Sequence, residues 1–178
     1  ETTTPEVDDT PFSATVNAGF ATATIEGPSV LNVGETGTIT VTLDGDLSQF
    51  GVGFYSSNTS VADFTGTASA EVTPSGIAVM ETVRTERRAF ACGLLNTTTN
   101  PFTKVVITYS ITANAAGTTT IDWSQDETEW LFLVDMIGTE YYHDQLLNYT
   151  LTVVDGSVTP PEPETNTKEF DSENGKLT

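Results

Sequence analysis

Thr38-Ile39-Thr40-Val41-Thr42-Leu43 alternates hydroxyl and apolar residues without a break. Successive side chains of an extended strand point to opposite faces, so Ile39, Val41 and Leu43 share one side and three threonines the other. β-Branched residues suit a pleated, half-buried surface, and threonine keeps the outer face wet without adding charge. The stretch therefore reads as a strand with one buried face. Asp44-Gly45-Asp46, a strong turn signal, marks its expected end.

The same period recurs outward from this stretch. Phe20 to Ile25, Val105 to Thr112 and Asn148 to Val154 repeat it, the last two closing at Asn114 to Gly117 and at Asp155-Gly156. Val52 to Tyr55, Ile77 to Arg84, Thr118 to Trp123 and Leu131 to Val134 are further strand candidates. No long segment has helical spacing with caps, although Thr85 to Leu95 and Glu140 to Leu147 could each hold a short helix. Many short strands separated by turns predict an all-β fold, an antiparallel β-sandwich of two packed sheets with at most short helices.

Residues 1–11 and 159–178 carry Thr, Pro and acids with little to bury, and Pro160-Pro161-Glu162-Pro163-Glu164-Thr165 favours an extended, solvated chain. They read as linkers around a binding domain at 12–158. The chain begins at Glu1 rather than Met, and removal of an upstream segment is the expected reason.

Charge narrows the partners. Lys and Arg total 6 against 25 Asp and Glu, a net charge of −19 in 178 residues. Such a field repels phosphate backbones and anionic lipid, which argues against nucleic acid and membrane surfaces. The longest apolar run, Trp130 to Val134, is far shorter than the roughly 20 residues of a membrane-spanning helix. A single cysteine, Cys92, rules out an internal disulfide and any multi-cysteine zinc site. Threonine, at 34 residues, is abundant while Lys and Cys are scarce, a balance similar to secreted surface proteins of Gram-positive bacteria. The expected location is secreted, at the cell surface.

Val33-Gly34-Glu35-Thr36-Gly37-Thr38-Ile39-Thr40-Val41, followed by Phe54-Tyr55-Ser56-Ser57-Asn58-Thr59-Ser60-Val61-Ala62-Asp63-Phe64, resembles the opening of bacterial Ig-like and cohesin-like sandwich modules. Ile107 to Thr119 is similar to the penultimate strand and turn of cohesins, and Leu151 to Gly156 to their closing strand. The resemblance implies an Ig-like or cohesin-like jelly roll and says more about architecture than about function. In general character the chain also resembles the starch-adherence proteins of cellulosome-like and amylosome-like assemblies, which implies an α-glucan ligand.

Chemistry concentrates in Asp122 to Asp144. This window holds both tryptophans, two of five tyrosines, the only histidine and seven acids, with no Lys or Arg. Sugar rings stack on aromatic planes while carboxylates and amides bind their hydroxyls. The expected carbohydrate site therefore comprises Trp123, Trp130, Tyr141, Tyr142, Gln125, Asp126, Glu129 and His143. Trp123, in phase with Ile121, also fits the core; Trp130, among acids at a loop edge, fits the surface. Which of the two stacks on a sugar stays open. One ring of Tyr141-Tyr142 is expected inside and the other outside. A fallback site lies near Phe54, Tyr55 and the arginines at 84, 87 and 88.

A lone histidine makes no zinc site, but Asp122, Asp126 and Glu129 could converge on one calcium ion. No G-x-S-x-G motif occurs, and with 25 acids some carboxylate pair meets glycosidase spacing by chance. The primary expectation is a noncatalytic carbohydrate-binding module for starch or maltooligosaccharides, with scaffold partners reached through other domains. The alternative is a cohesin-like protein-interaction module or an Ig-like spacer.

Overall fold

The computed structural model describes residues 8–74, 80–84, 89–95, 101–123, 131–142 and 148–156, and these contain twelve strands and no helix. They are β1 (Phe12–Asn17), β2 (Ala21–Gly27), β3 (Val30–Asn32), β4 (Thr36–Ser56), β5 (Ala62–Thr73), β6 (Met80–Arg84), β7 (Ala89–Leu95), β8 (Phe102–Ala113), β9 (Gly117–Trp123), β10 (Phe132–Asp135), β11 (Glu140–Tyr142) and β12 (Tyr149–Val154).

The opening stretch lies in β4, whose 21 residues run past Asp44-Gly45-Asp46 instead of stopping there. Fully extended it would span roughly 70 Å. A domain of this size has a radius of gyration of about 15 Å, so the strand must bend. The bend coincides with a bulge, where Asp44 faces Lys104 and Leu47 faces Phe102, one extra residue on β4. Gly45, at φ +144°, takes the backbone conformation that the strong turn signal had suggested would end the strand.

On either side of the bulge β4 changes neighbours. Residues 40–44 pair with both β2 and β8, and β1 and β5 extend this layer outward. Beyond the bulge, residues 49–54 pair with β7, which pairs with β6. The opposite edge of that segment takes β10 at Leu47–Gly51 and β9 at Phe54–Ser56. β9 leads to β12, and β12 to β3 in a parallel pairing. One curled sheet thus supplies both layers of the sandwich.

The layers meet over a single apolar cluster. Tyr109 of β8 pairs with Ile39 in the ladder, yet its ring packs edge-on to Phe54, with centroids 5.3 Å apart. Phe64 of β5 lies parallel to Phe54 at 6.4 Å, and Phe102 meets Phe50 at 6.1 Å. Ile39, Val41 and Leu43 are fully buried, as their alternation requires.

Two expectations change. Ala89–Leu95 is strand, and so is Glu140–Tyr142, where short helices were expected. Both segments are short and are used as ladder partners, β7 between β4 and β6 and β11 beside β10. A short apolar run such as Phe90 to Leu95 does not distinguish strand from helix by periodicity alone.

Candidate functional site

The two layers present different outer faces. Across β1, β2, β4, β8 and β5 the outer positions include Thr15, Thr24, Thr42, Thr40, Thr108, Thr38 and Ser110, paired strand to strand. Several of these hydroxyls are spent on one another or on close neighbours. Thr15 and Thr24 lie 3.0 Å apart, and Thr112 shares its hydroxyl with Thr36 and Thr65 at 2.9 Å each. Part of this face is thus satisfied by its own hydroxyls.

The second layer differs at its centre. Phe50, Val52 and Phe54 point inward at 1%, 0% and 2% exposure, which leaves Gln49, Gly51, Gly53 and Tyr55 on the outer side of β4. Gly51 faces Gly93 and Gly53 faces Ala91 across the β7 ladder; Gly51 is partly exposed and without relief, whereas Gly53 is itself buried. Aromatic groups border this face. Phe132 sits opposite Gly51 and is half-buried, and Tyr55 sits opposite Asp122. The Tyr55 hydroxyl donates to Asp122 Oδ2 at 3.2 Å, which holds a carboxylate that is only 5% exposed. A buried carboxylate needs such a donor to offset lost hydration.

Beside this face the β10–β11 hairpin is fastened by side chains. Ser48 is the extra residue in the β4–β10 register, and its hydroxyl donates to the carbonyl of Asp135 at 2.6 Å. Asp135 Oδ1 accepts the N–H groups of Ile137 and Thr139 at 2.9 and 2.7 Å. Local desolvation raises the Asp135 carboxyl, but the N–H and hydroxyl of Thr139 and the N–H groups of Ile137 and Gly138 outweigh it. The net pKa lies below the ordinary carboxylate value.

Of the residues expected to bind sugar, Gln125, Asp126, Glu129, Trp130 and His143 lie outside the described residues, as do the side chains of Trp123 and Tyr142. The backbone nevertheless brings part of the window together. Trp123 ends β9 opposite Phe54, Phe132 begins β10 opposite Gly51, and Tyr142 faces Phe132. All three lie along the edge of β4 away from β7, but Trp123 holds an inward register position opposite Phe54, whereas Phe132 and Tyr142 hold outward ones beside Gly51. Tyr141, opposite Leu133, packs half-buried against the core. Of the three calcium candidates only Asp122 is described, and its carboxylate is engaged by Tyr55. Among the described residues no group of three or more His, Cys, Asp or Glu could hold a metal ion. Sequence reasoning passed over Gly51, Gly53 and Gln49. The visible signal was Phe50-Gly51-Val52-Gly53-Phe54, a period-two strand whose outward positions are empty.

No protein-family model and no curated protein sequence matches the chain. Solved structures do. A cohesin module from a family 33 glycoside hydrolase of Clostridium perfringens superposes with a TM-score of 0.53 at 9% identity, covering 75% of this chain and 96% of that one. The fold is cohesin-like. A type II cohesin domain from the cellulosome of Acetivibrio cellulolyticus gives 0.56 at 10% identity, with 80% and 95% covered. A chain from a type I cohesin–dockerin complex of Clostridium thermocellum gives 0.52 at 6%, with 70% and 90% covered. The expected starch-adherence relationship and α-glucan ligand find no counterpart in these three structures.

Proposed function

We propose that this chain is a noncatalytic, cohesin-like protein-interaction module of a secreted cell-surface protein, and that a dockerin-like partner docks on the outer face formed by the second half of β4 with β7, β9 and β10. The observation that carries the reading is the cohesin-like fold across 96% of the Clostridium perfringens module, together with the partly exposed, side-chain-free Gly51 at the centre of the outer side of β4. Proteins dock readily on low-relief surfaces whose margins carry aromatic groups, because rigid rings bury much area for little conformational entropy. Tyr55 and Phe132 supply those margins, whereas the described outer positions of the threonine face carry no aromatic group. The chain in the Clostridium thermocellum structure was solved in a cohesin–dockerin complex, which names the class of partner to test.

A polysaccharide is the second reading, favoured by Phe132 and Tyr142 at neighbouring register positions beside Gly51. Calorimetric titration with a panel of type I and type II dockerins, alongside affinity electrophoresis in amylopectin, separates the two. Binding of one dockerin at about micromolar Kd or tighter, with unchanged mobility in amylopectin, is the expected result. Retardation by amylopectin with no dockerin binding reverses the order of the readings.

A further inference from the structure

Ile137, at the tip of the β10–β11 hairpin, is 90% exposed, and the other exposed large hydrophobic residue among those described is Val33 at 41%. Among the described turns, Asn58-Thr59-Ser60, Asn114-Ala115-Ala116 and Asp155-Gly156 carry polar or small residues, and the Val33-Gly34 turn carries the less exposed Val33. An isoleucine held in water contributes no burial to the fold.

The tip is also built to stay in place. Asp135 Oδ1 takes the N–H groups of Ile137 and Thr139, Asp135 N–H donates to the Thr139 carbonyl at 3.0 Å, and Ser48 ties the Asp135 carbonyl to β4. A side chain fixed beforehand in its exposed position loses less entropy on binding than one ordered by its partner. β10 runs antiparallel to Leu47–Gly51, so the tip stands at the Leu47 end of the face carrying Gln49, Gly51 and Tyr55.

We infer that Ile137 is an anchor that enters an apolar socket on the partner, and that Lys or Arg groups of the partner rim the socket. This rests on the docking reading above. Asp135 and Glu140 flank the tip and the chain carries −19, so a basic rim is complementary while an anionic lipid surface is repelled.

The test uses the full chain and the dockerin that binds it most tightly from the panel. Ile137→Ser is expected to weaken that complex by about tenfold or more, mainly through a faster dissociation rate, with an unchanged melting temperature. Raised salt is expected to slow association of wild type and variant alike. A dockerin that binds the variant as tightly as wild type overturns the anchor and leaves the docking reading standing. Failure of every dockerin to bind overturns both. Binding of wild type, but not Ile137→Ser, to phosphatidylcholine vesicles makes the tip a lipid contact and also overturns the proposal.

Discussion

Tyr109 donates its hydroxyl to the carbonyl of Val52 at 2.8 Å, although its ladder partner on the same strand is Ile39, thirteen residues earlier. That bond closes the curl of β4. It shows one strand serving in both layers, and it ties the threonine-faced sheet to the residues directly behind the glycine-centred face.

Removing it is expected to be costly. Tyr109 and Val52 are both fully buried, so Tyr109→Phe leaves a carbonyl without its donor, a loss of about 1–3 kcal/mol. Denaturant unfolding of the variant checks this; a midpoint equal to wild type would contradict the role of the bond.

Gly45 is expected to be the most sensitive glycine of the first layer. A Cβ there would lie 2.5 Å from the Phe20 carbonyl oxygen and 2.6 Å from Ala21 Cα, at a φ that side chains rarely adopt. Both obstacles are backbone and cannot swing away. Gly45→Ala is expected to lose about 2–4 kcal/mol, read from thermal or denaturant unfolding.

This bulge also explains what the sequence alone conveyed and where it misled. Alternation located β4, β8, β9 and β12 because their inward Ile, Val and Leu residues and outward threonines differ sharply. Asp44-Gly45-Asp46 was read as a stop since the same glycine conformation serves a hairpin turn and a bulge. β5 went unread because Ala62–Thr73 mixes small residues with Gly66 in a two-residue register shift against β8, which blurs the period. The candidate face was hidden for a related reason: glycine signals loops, yet Gly51 and Gly53 are central strand residues, and the missing side chain of the partly exposed Gly51 shapes the surface.

A buried tyrosine offers a stabilising substitution. Tyr149 stacks on Phe12 at 4.4 Å, its hydroxyl is buried without a hydrogen-bond partner, and a Cβ on Gly27 would stand 2.6 Å from that oxygen. Tyr149→Phe is expected to be neutral or to stabilise by up to about 1 kcal/mol, and to relieve part of the damage of Gly27→Ala in a double-mutant cycle. Desolvation raises the Tyr149 pKa in the folded state. The neutral phenol is therefore favoured by folding, and stability present below about pH 10 is lost as pH rises further. Tyr149→Phe is expected to flatten that alkaline decline; identical pH profiles would contradict the burial argument.

The Asp135 turn has the opposite sign. Its folded pKa is depressed, so its contribution is present above the unfolded value of about 3.9 and is lost as pH falls through the folded value. The amide signals of Ile137 and Thr139 are expected to titrate together in acid, with a midpoint below that of an ordinary aspartate, and to stop titrating in Asp135→Asn. Separate midpoints for the two amides would mean that one carboxylate does not hold both.

The docking face is tested most directly by amide chemical-shift changes in the isotope-labelled chain as a binding dockerin is added. Shifts are expected at Gln49, Gly51, Tyr55, Thr120 and Phe132, with Thr15, Thr24, Thr40 and Thr108 unmoved. Shifts confined to those four threonines would contradict the docking reading.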